Sequence, residues 1–277
     1  MEQNILRQCQ LVQLEIAKEV KRLCEENDIN YFLVAGSALG AVRHEGFIPW
    51  DDDLDIGMLR CDYDAFIDIA SRQLSSNYFL QTWDSDKYFG LPIAKIRKNN
   101  TTYVERNSKD VGIHSGIYVD IFPLDNVPDS KMLYLIQKYE SKILLHLLLN
   151  KNGYDYLEGS SRIKRFAGSI IKRMSLLFSL EFLQSKMTKC ITRFNKSVTN
   201  SVVAFGGANT YEKETLKREW VSETEKKQFE NEMFLIPKQW DEYLTHFYGD
   251  YLTPPPKEKR MEGHSIEIVS FENGNIG

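Results

Sequence analysis

The sequence predicts an α/β (α+β) fold, a mixed sheet flanked by helices and carrying a helical insertion. Three observations predict it. Short apolar runs bounded by turn residues alternate with amphipathic helical patterns over residues 1–130. Residues 131–200 then read as helix almost throughout. Residues 201–277 return to mixed character. We therefore expect a sheet core in 1–130, a helical insertion in 131–200, and a C-terminal part, 201–277, that completes the core.

The elements follow in order. Over 4–26, Ile5, Cys9, Val12, Ile16, Val20 and Leu23 recur at helical spacing, and Asn27-Asp28 ends the pattern. YFLVA (31–35) is a buried strand stopped by Gly36-Ser37, and SALGAVRH (37–44) is a short helix after it. Pro49 forbids a helix, and DLDIGM (53–58) alternates as a strand does. In 62–74, Asp62 serves as N-cap while Tyr63, Phe66, Ile67, Ala70 and Leu74 form one face. Further strands fall at 78–81, 92–97, 101–105 and 116–122, and Asp125 is assigned to a turn. Helices then contain KILLHLLL (142–149) and the stretch 161–183.

Composition narrows the function. Hydrophobic residues make up 42% and charged residues 27% of 277, as in ordinary globular chains. A net charge of -4 argues against broad nucleic-acid binding. The four cysteines, Cys9, Cys24, Cys61 and Cys190, form no CxxC pair, so they read as reduced thiols. MEQNILRQCQ lacks the apolar core of a signal peptide, and no run approaches the ~18 apolar residues of a membrane span. The expectation is a cytoplasmic protein.

The stretch GFIPWDDDLDI (46–56) concentrates the chemistry. Asp51, Asp52, Asp53 and Asp55 occupy four of five positions, too close to stay ionised beside apolar groups without a cation. Strand parity turns Asp53 and Asp55 to one face and Leu54 and Ile56 to the other; Asp51 joins the first face if the strand starts early enough. Paired carboxylates are hard ligands suited to Mg2+ or Mn2+. The plainer alternative, an acidic turn, is weakened by the buried Leu-x-Ile rhythm. A calcium EF-hand is rejected: Ile56 stands where that loop needs glycine, Asp62 where it needs glutamate.

Three other features support the acids. Gly36-Ser37 between a strand and a helix makes a generic phosphate site, although Gly-Ser also simply caps helices. In GIYVDIFPLD, Asp120 is a lone acid in an apolar strand, hence a third carboxylate or half of a buried ion pair. Arg43, His44, Lys95, Arg97, Lys259, Arg260 and His264 are candidate contacts for an anionic substrate, of which we expect two or three to touch it.

GSALGAVRHEGFIPWDDDLDI, DYDAF, AKIRKNNTTY, YVDIFPLD and YGDYLTPPPKEKR with a following His together resemble the LicD family of phosphocholine transferases, and more distantly the fukutin-type ribitol-phosphate transferases. The match is strong over 15–130 and looser over 202–264. The resemblance implies a nucleotidyltransferase-like fold with Asp53, Asp55 and Asp120 as catalytic acids and metal ligands, and Asp51 auxiliary. It implies Gly36 and Ser37 at the phosphate. The implied reaction moves a phospho-alcohol group from a CDP-alcohol donor such as CDP-choline to a glycan hydroxyl, releasing CMP. The acceptor would be a cell-surface precursor, of teichoic acid or lipopolysaccharide, lipid-linked by the same likeness.

Two other functions compete. A glycosyltransferase also uses Asp-x-Asp with a metal but takes UDP- or GDP-sugars. A non-catalytic membrane adaptor would bind no nucleotide, and the full set of acids argues against it. In 161–183, Arg162, Lys164, Arg165, Lys172 and Arg173 lie among apolar residues. That pattern suits peripheral contact with the inner face of a membrane, or packing on the core.

Overall fold

The computed structural model describes residues 2–155, 162–256, 258, 260 and 265–271, with backbone alone for 162–167. The chain opens with helix α1 (Gln3–Glu26), strand β1 (Phe32–Leu33), helix α2 (Ala35–His44), strand β2 (Asp55–Leu59) and helix α3 (Arg60–Gln73). Strands β3 (Tyr78–Gln81), β4 (Ala94–Lys98), β5 (Thr102–Glu105) and β6 (Tyr118–Val127) follow. Helices α4 (Lys131–Asn152), α5 (Arg162–Ser175) and α6 (Leu180–Ile191) form the helical region. The last part contains β7 (Ser201–Ala204), α7 (Tyr211–Glu214), β8 (Thr215–Lys217), α8 (Arg218–Val221), β9 (Thr224–Phe229), β10 (Glu232–Pro237), α9 (Trp240–Tyr248) and β11 (Ile266–Ser270).

A seven-stranded mixed sheet organises the fold, and helices flank it. Its main path runs β1-β2-β6-β4-β3, with β7 on β6 and β8 on β7. Only β2 and β6 are parallel within it. Strand β6 is the spine: β2 occupies one edge, while β4 pairs with residues 118–121 and β7 with 124–127 on the other. Phe122 and Pro123 fall between those two partners, so the missing proline N–H breaks no pair on that edge. The strand therefore runs on past residue 122, its expected end.

Asp125 is consequently in β6 rather than a turn, and fully buried. It accepts from Arg60 Nε at 2.7 Å and Nη2 at 2.6 Å, and from Asn195 Nδ2 at 2.6 Å. This three-way contact ties α3 and the segment after α6 to the spine. Other expectations also shift. Helix α3 starts at Arg60 with Leu59 as N-cap; Asp62 instead accepts from the Asn30 amide at 3.3 Å. The first strand shrinks to Phe32–Leu33 because Ala35 already begins α2. The 161–183 pattern is interrupted between α5 and α6.

One core unites the sheet with α1, α2, α3 and residues 202–251. A second, smaller apolar cluster joins α4 to α6 through Leu147, Leu148, Leu180, Leu183, Met187 and Ile191. The helical region thus has a core of its own.

Candidate active site

Sheet register aligns the chemistry. Asp55 on β2 is paired with Asp120 on β6, and Asp120 with Lys95 on β4. Directly paired residues show their side chains on one face, so these three stand in a row across three strands. Lys95 Nζ lies 3.0 Å from Asp120 Oδ1 and donates to Oδ2 at 3.3 Å. Oδ1 is buried and accepts no directed hydrogen bond. Lys95 Nζ also sits 3.4 Å from the Tyr118 ring centroid, and Tyr118 donates to Glu105 Oε1 at 2.7 Å.

The strand begins only at Asp55, so Asp51, Asp52 and Asp53 occupy the loop before it. The alternation nevertheless holds: Leu54 and Ile56 are buried, while Asp53 and Asp55 are half-buried. The loop is pinned from below by residues that the motif did not reveal. Gln10 Nε2 of α1 donates to Asp51 O at 2.9 Å, and Gln13 Nε2 donates to Asp52 O at 2.8 Å. The Tyr103 hydroxyl reaches Asp52 O at 3.2 Å and Oδ2 at 3.4 Å. These contacts turn the backbone so that one carboxylate oxygen each of Asp51, Asp52 and Asp53 lies within 4.8 Å of the others. The sequence did carry a signal, since two glutamines on the buried side of a helix need partners. Gln13→Leu should free the loop and weaken divalent-ion binding by its carboxylates about 10- to 100-fold, as lost support of ligating groups does. Calorimetric titration with Mg2+ or Mn2+ checks this, and unchanged binding in the variant would contradict it.

Helix α2 closes the site from the other side. Ala35, its first residue, is held at φ 46°, a left-handed conformation costly for a residue with a Cβ. Its amide donates to the buried Tyr243 hydroxyl at 2.8 Å. Ser37 Oγ accepts from the Asp55 amide at 2.9 Å and so fixes the start of β2. A Cβ at Gly36 would stand 2.6 Å from Asp51 Oδ2, so a larger residue there would push that carboxylate away from the helix start. First-turn amides have no carbonyl one turn back, and they face a concentration of negative charge.

The electrostatics follow from that crowding. Burial, then the charges of Asp53, Asp120 and Asp51, push the Asp55 carboxyl well above the usual carboxylate range; Lys95 opposes them. The Tyr248 hydroxyl, at the end of α9, is pushed up by burial and then by Asp51, Asp55 and Asp53. Crowded carboxylates suit a hard divalent cation. Among the described residues those gathered closely enough to share one are Asp51, Asp52 and Asp53; the expected partners Asp55 and Asp120 stand side by side on the sheet, outside that group, with Asp120 ion-paired to Lys95.

Cations line one flank. Arg43 Nη1 donates to Tyr251 O at 2.6 Å, and its guanidinium is lowered by burial and by Arg260, against the pull of Tyr248 and Asp51. His44 is lowered by burial and then by Arg43 and Arg260. Arg260 lies 4.5 Å over the Trp50 ring, beside which His44 stacks edge-on. Arg97 does not join this flank. It is 3% exposed and donates to Gln81 Oε1 at 2.6 Å and Gly116 O at 2.7 Å. Lys259 and His264 lie outside the described residues.

Comparison with known proteins meets this geometry. The nucleotidyltransferase domain model of LicD/FKTN/FKRP matches residues 28–143, which span α2, β2, β4, β6 and the whole acid row. The lipopolysaccharide cholinephosphotransferase LicD of Haemophilus influenzae is 30% identical over 275 residues, covering 96% of this chain and 98% of that one. This chain belongs to the LicD family. Ribitol 5-phosphate transferase FKRP of human and mouse is 46% identical over 44 residues, 16% of this chain and 9% of theirs. An uncharacterized Rickettsia typhi protein, RT0683, is 30% identical over 126 residues, 46% of this chain and 38% of its own. The expected mixed sheet with flanking helices is the fold this LicD-family chain has. Among the described residues no helix is long and apolar enough to cross a membrane.

Proposed function

We propose that this LicD-family protein transfers a phospho-alcohol group, such as phosphocholine, from a CDP-activated donor to a glycan hydroxyl. The acceptor in this reading is a cell-surface precursor of the teichoic acid or lipopolysaccharide kind. The observation that carries the reading is the row Asp55–Asp120–Lys95 beside the Asp51–Asp53 loop, within a chain alike over nearly its full length to a cholinephosphotransferase.

Each group has work in that reaction. Mg2+ or Mn2+ at Asp53, Asp55 and Asp120 would neutralise the diphosphate and stabilise the departing CMP oxygen. The amides of Gly36 and Ser37 hold a donor phosphate at the α2 start. Arg43 and Arg260 offset charge on the nucleotide side. Lys95 fixes Asp120 in place. The acceptor oxygen bonds to phosphorus, its proton passes to the Asp120 carboxylate, and the bond to CMP breaks with the electron pair leaving on CMP. Arg97, satisfied internally, supports the Lys95–Tyr118 face and touches no substrate in this scheme.

A donor panel tests the assignment. CDP-choline and other CDP-alcohols, with Mg2+ or Mn2+, should yield CMP, while UDP- and GDP-sugars stay intact. Consumption of a nucleotide sugar with CDP-alcohols untouched would assign the site to glycosyl transfer instead.

A further inference from the structure

Eighteen large hydrophobic side chains are exposed among the described residues, and eleven of them lie between Met132 and Phe182. On α4, Met132, Ile136, Tyr139 and Ile143 recur at helical spacing and are 45 to 68% exposed. This stripe is separate from Leu147 and Leu148, which bury themselves against α6. Helix α5 packs on α4. Near and just past its end, Met174, Leu176 and Leu177 are 44, 69 and 79% exposed. Exposed apolar surface on this scale marks an interaction face rather than ordinary scatter.

Charge is as uneven as exposure. Helices α4 and α5 carry nine basic residues and one acid, Glu140. That leaves 26 of the 35 basic and 38 of the 39 acidic residues for the rest of the chain. Positive charge is therefore concentrated on the two helices that carry the exposed apolar side chains, and negative charge on the rest of the chain. Lys172 and Arg173 are exposed beside Met174. Among the described residues, neither they nor Lys131 and Lys142 pair with a carboxylate.

We propose that the exposed face of α4 and α5 docks on a bilayer surface that contains anionic lipids. Three occupants compete for such a face. A second copy would set one strongly positive face against another. A nucleic acid would use the basic side chains but leave the apolar stripe in water. A bilayer uses both, because apolar side chains enter the headgroup boundary while Lys and Arg reach lipid phosphates. From Met132 to Ile143 the stripe runs about 16 Å at ~1.5 Å per residue, suited to lying in the surface plane. Since no described helix is long and apolar enough to cross, the contact is peripheral. The face extends the contact expected at 161–183 onto α4. Of that stretch, residue 161 and the side chains of 162–167 lie outside the described residues. The acids of the active site take no part in it, so the proposal stands apart from the chemistry.

Co-sedimentation of the full chain with vesicles tests it. Vesicles of phosphatidylcholine with added phosphatidylglycerol should bind at least about tenfold more tightly than phosphatidylcholine alone, and high salt should erode the difference. Leu176→Glu/Leu177→Glu and Lys172→Glu/Arg173→Glu should each lower that binding about tenfold or more with the melting transition unchanged. The two variants alter different features, so misfolding of one leaves the other to decide. Equal binding to both vesicles, or variants that bind as the parent does, would overturn the proposal. So would a dimer in solution that these substitutions dissociate, which would give the face to a second copy.

Discussion

Asp55→Asn should abolish turnover, by about 10³-fold or more, and at the same time make the metal-free protein more stable. The first effect follows if Asp55 holds the cation and anchors the acid row. The second follows from its surroundings. Asp55 must ionise in a half-buried position beside Asp53, Asp120 and Asp51, and burial with those charges raises its pKa well above the ordinary range. The folded chain then binds this proton more tightly than the unfolded chain does. The stability linked to it is fully present below the unfolded value, about 4, and is lost as pH rises through the raised folded value. Asparagine keeps the shape and removes the charge. In chelator, the variant should melt roughly 2–4 °C higher than the parent near neutral pH, the shift that ~1 kcal/mol produces in a chain of this size. The gap should close toward pH 4. Added Mg2+ or Mn2+ should raise the parent's melting point and leave the variant's alone. Parallel melting curves for the two proteins across pH would show that Asp55 is not under this strain.

The second large effect lies far from the chemistry. Asp125→Ala should cost about 3–5 kcal/mol, because it leaves the Arg60 guanidinium without its buried partner. The geometry is a fork: both Asp125 oxygens are used by Arg60, and Oδ1 also accepts from Asn195. Arg60→Met with Asp125→Leu should recover most of the loss, since removing both charges removes the desolvation penalty with the attraction. Urea unfolding of the single and double variants reads this out. A single-variant loss under about 1 kcal/mol would mean that water reaches the fork, contrary to an Asp125 with no exposure.

These two residues mark what could be read from sequence and what could not. Asp55 was legible because alternation with Leu54 and Ile56 is a local property, and burial in the fold follows that alternation. Asp125 was assigned to a turn because the strand was expected over 116–122, ending just before Pro123. The strand continues because two different partners, β4 and β7, meet at that gap, and sequence spacing does not encode the meeting. The row Asp55–Asp120–Lys95 depends on register between strands separated by up to 65 residues, so its members were named one by one but not as neighbours. Arg97 and Lys95, both named as substrate contacts, are equally buried, and their partners separate them: Gln81 and Gly116 take the guanidinium, Asp120 the ammonium. Gln10 and Gln13 passed as ordinary members of an amphipathic helix, yet they hold the acid loop. Asp62 shows the limit of capping rules: a side chain suited to one backbone amide was taken by another, that of Asn30.

The most direct measurement is product analysis with purified protein, CDP-choline, Mg2+ and a glycan acceptor. Mass spectrometry follows the acceptor while free CMP is quantified. The account predicts one phosphocholine on the acceptor for each CMP released, with both lost on chelation of the metal and in Asp55→Asn. CMP formed without modification of the acceptor, or full transfer by Asp55→Asn, would contradict it.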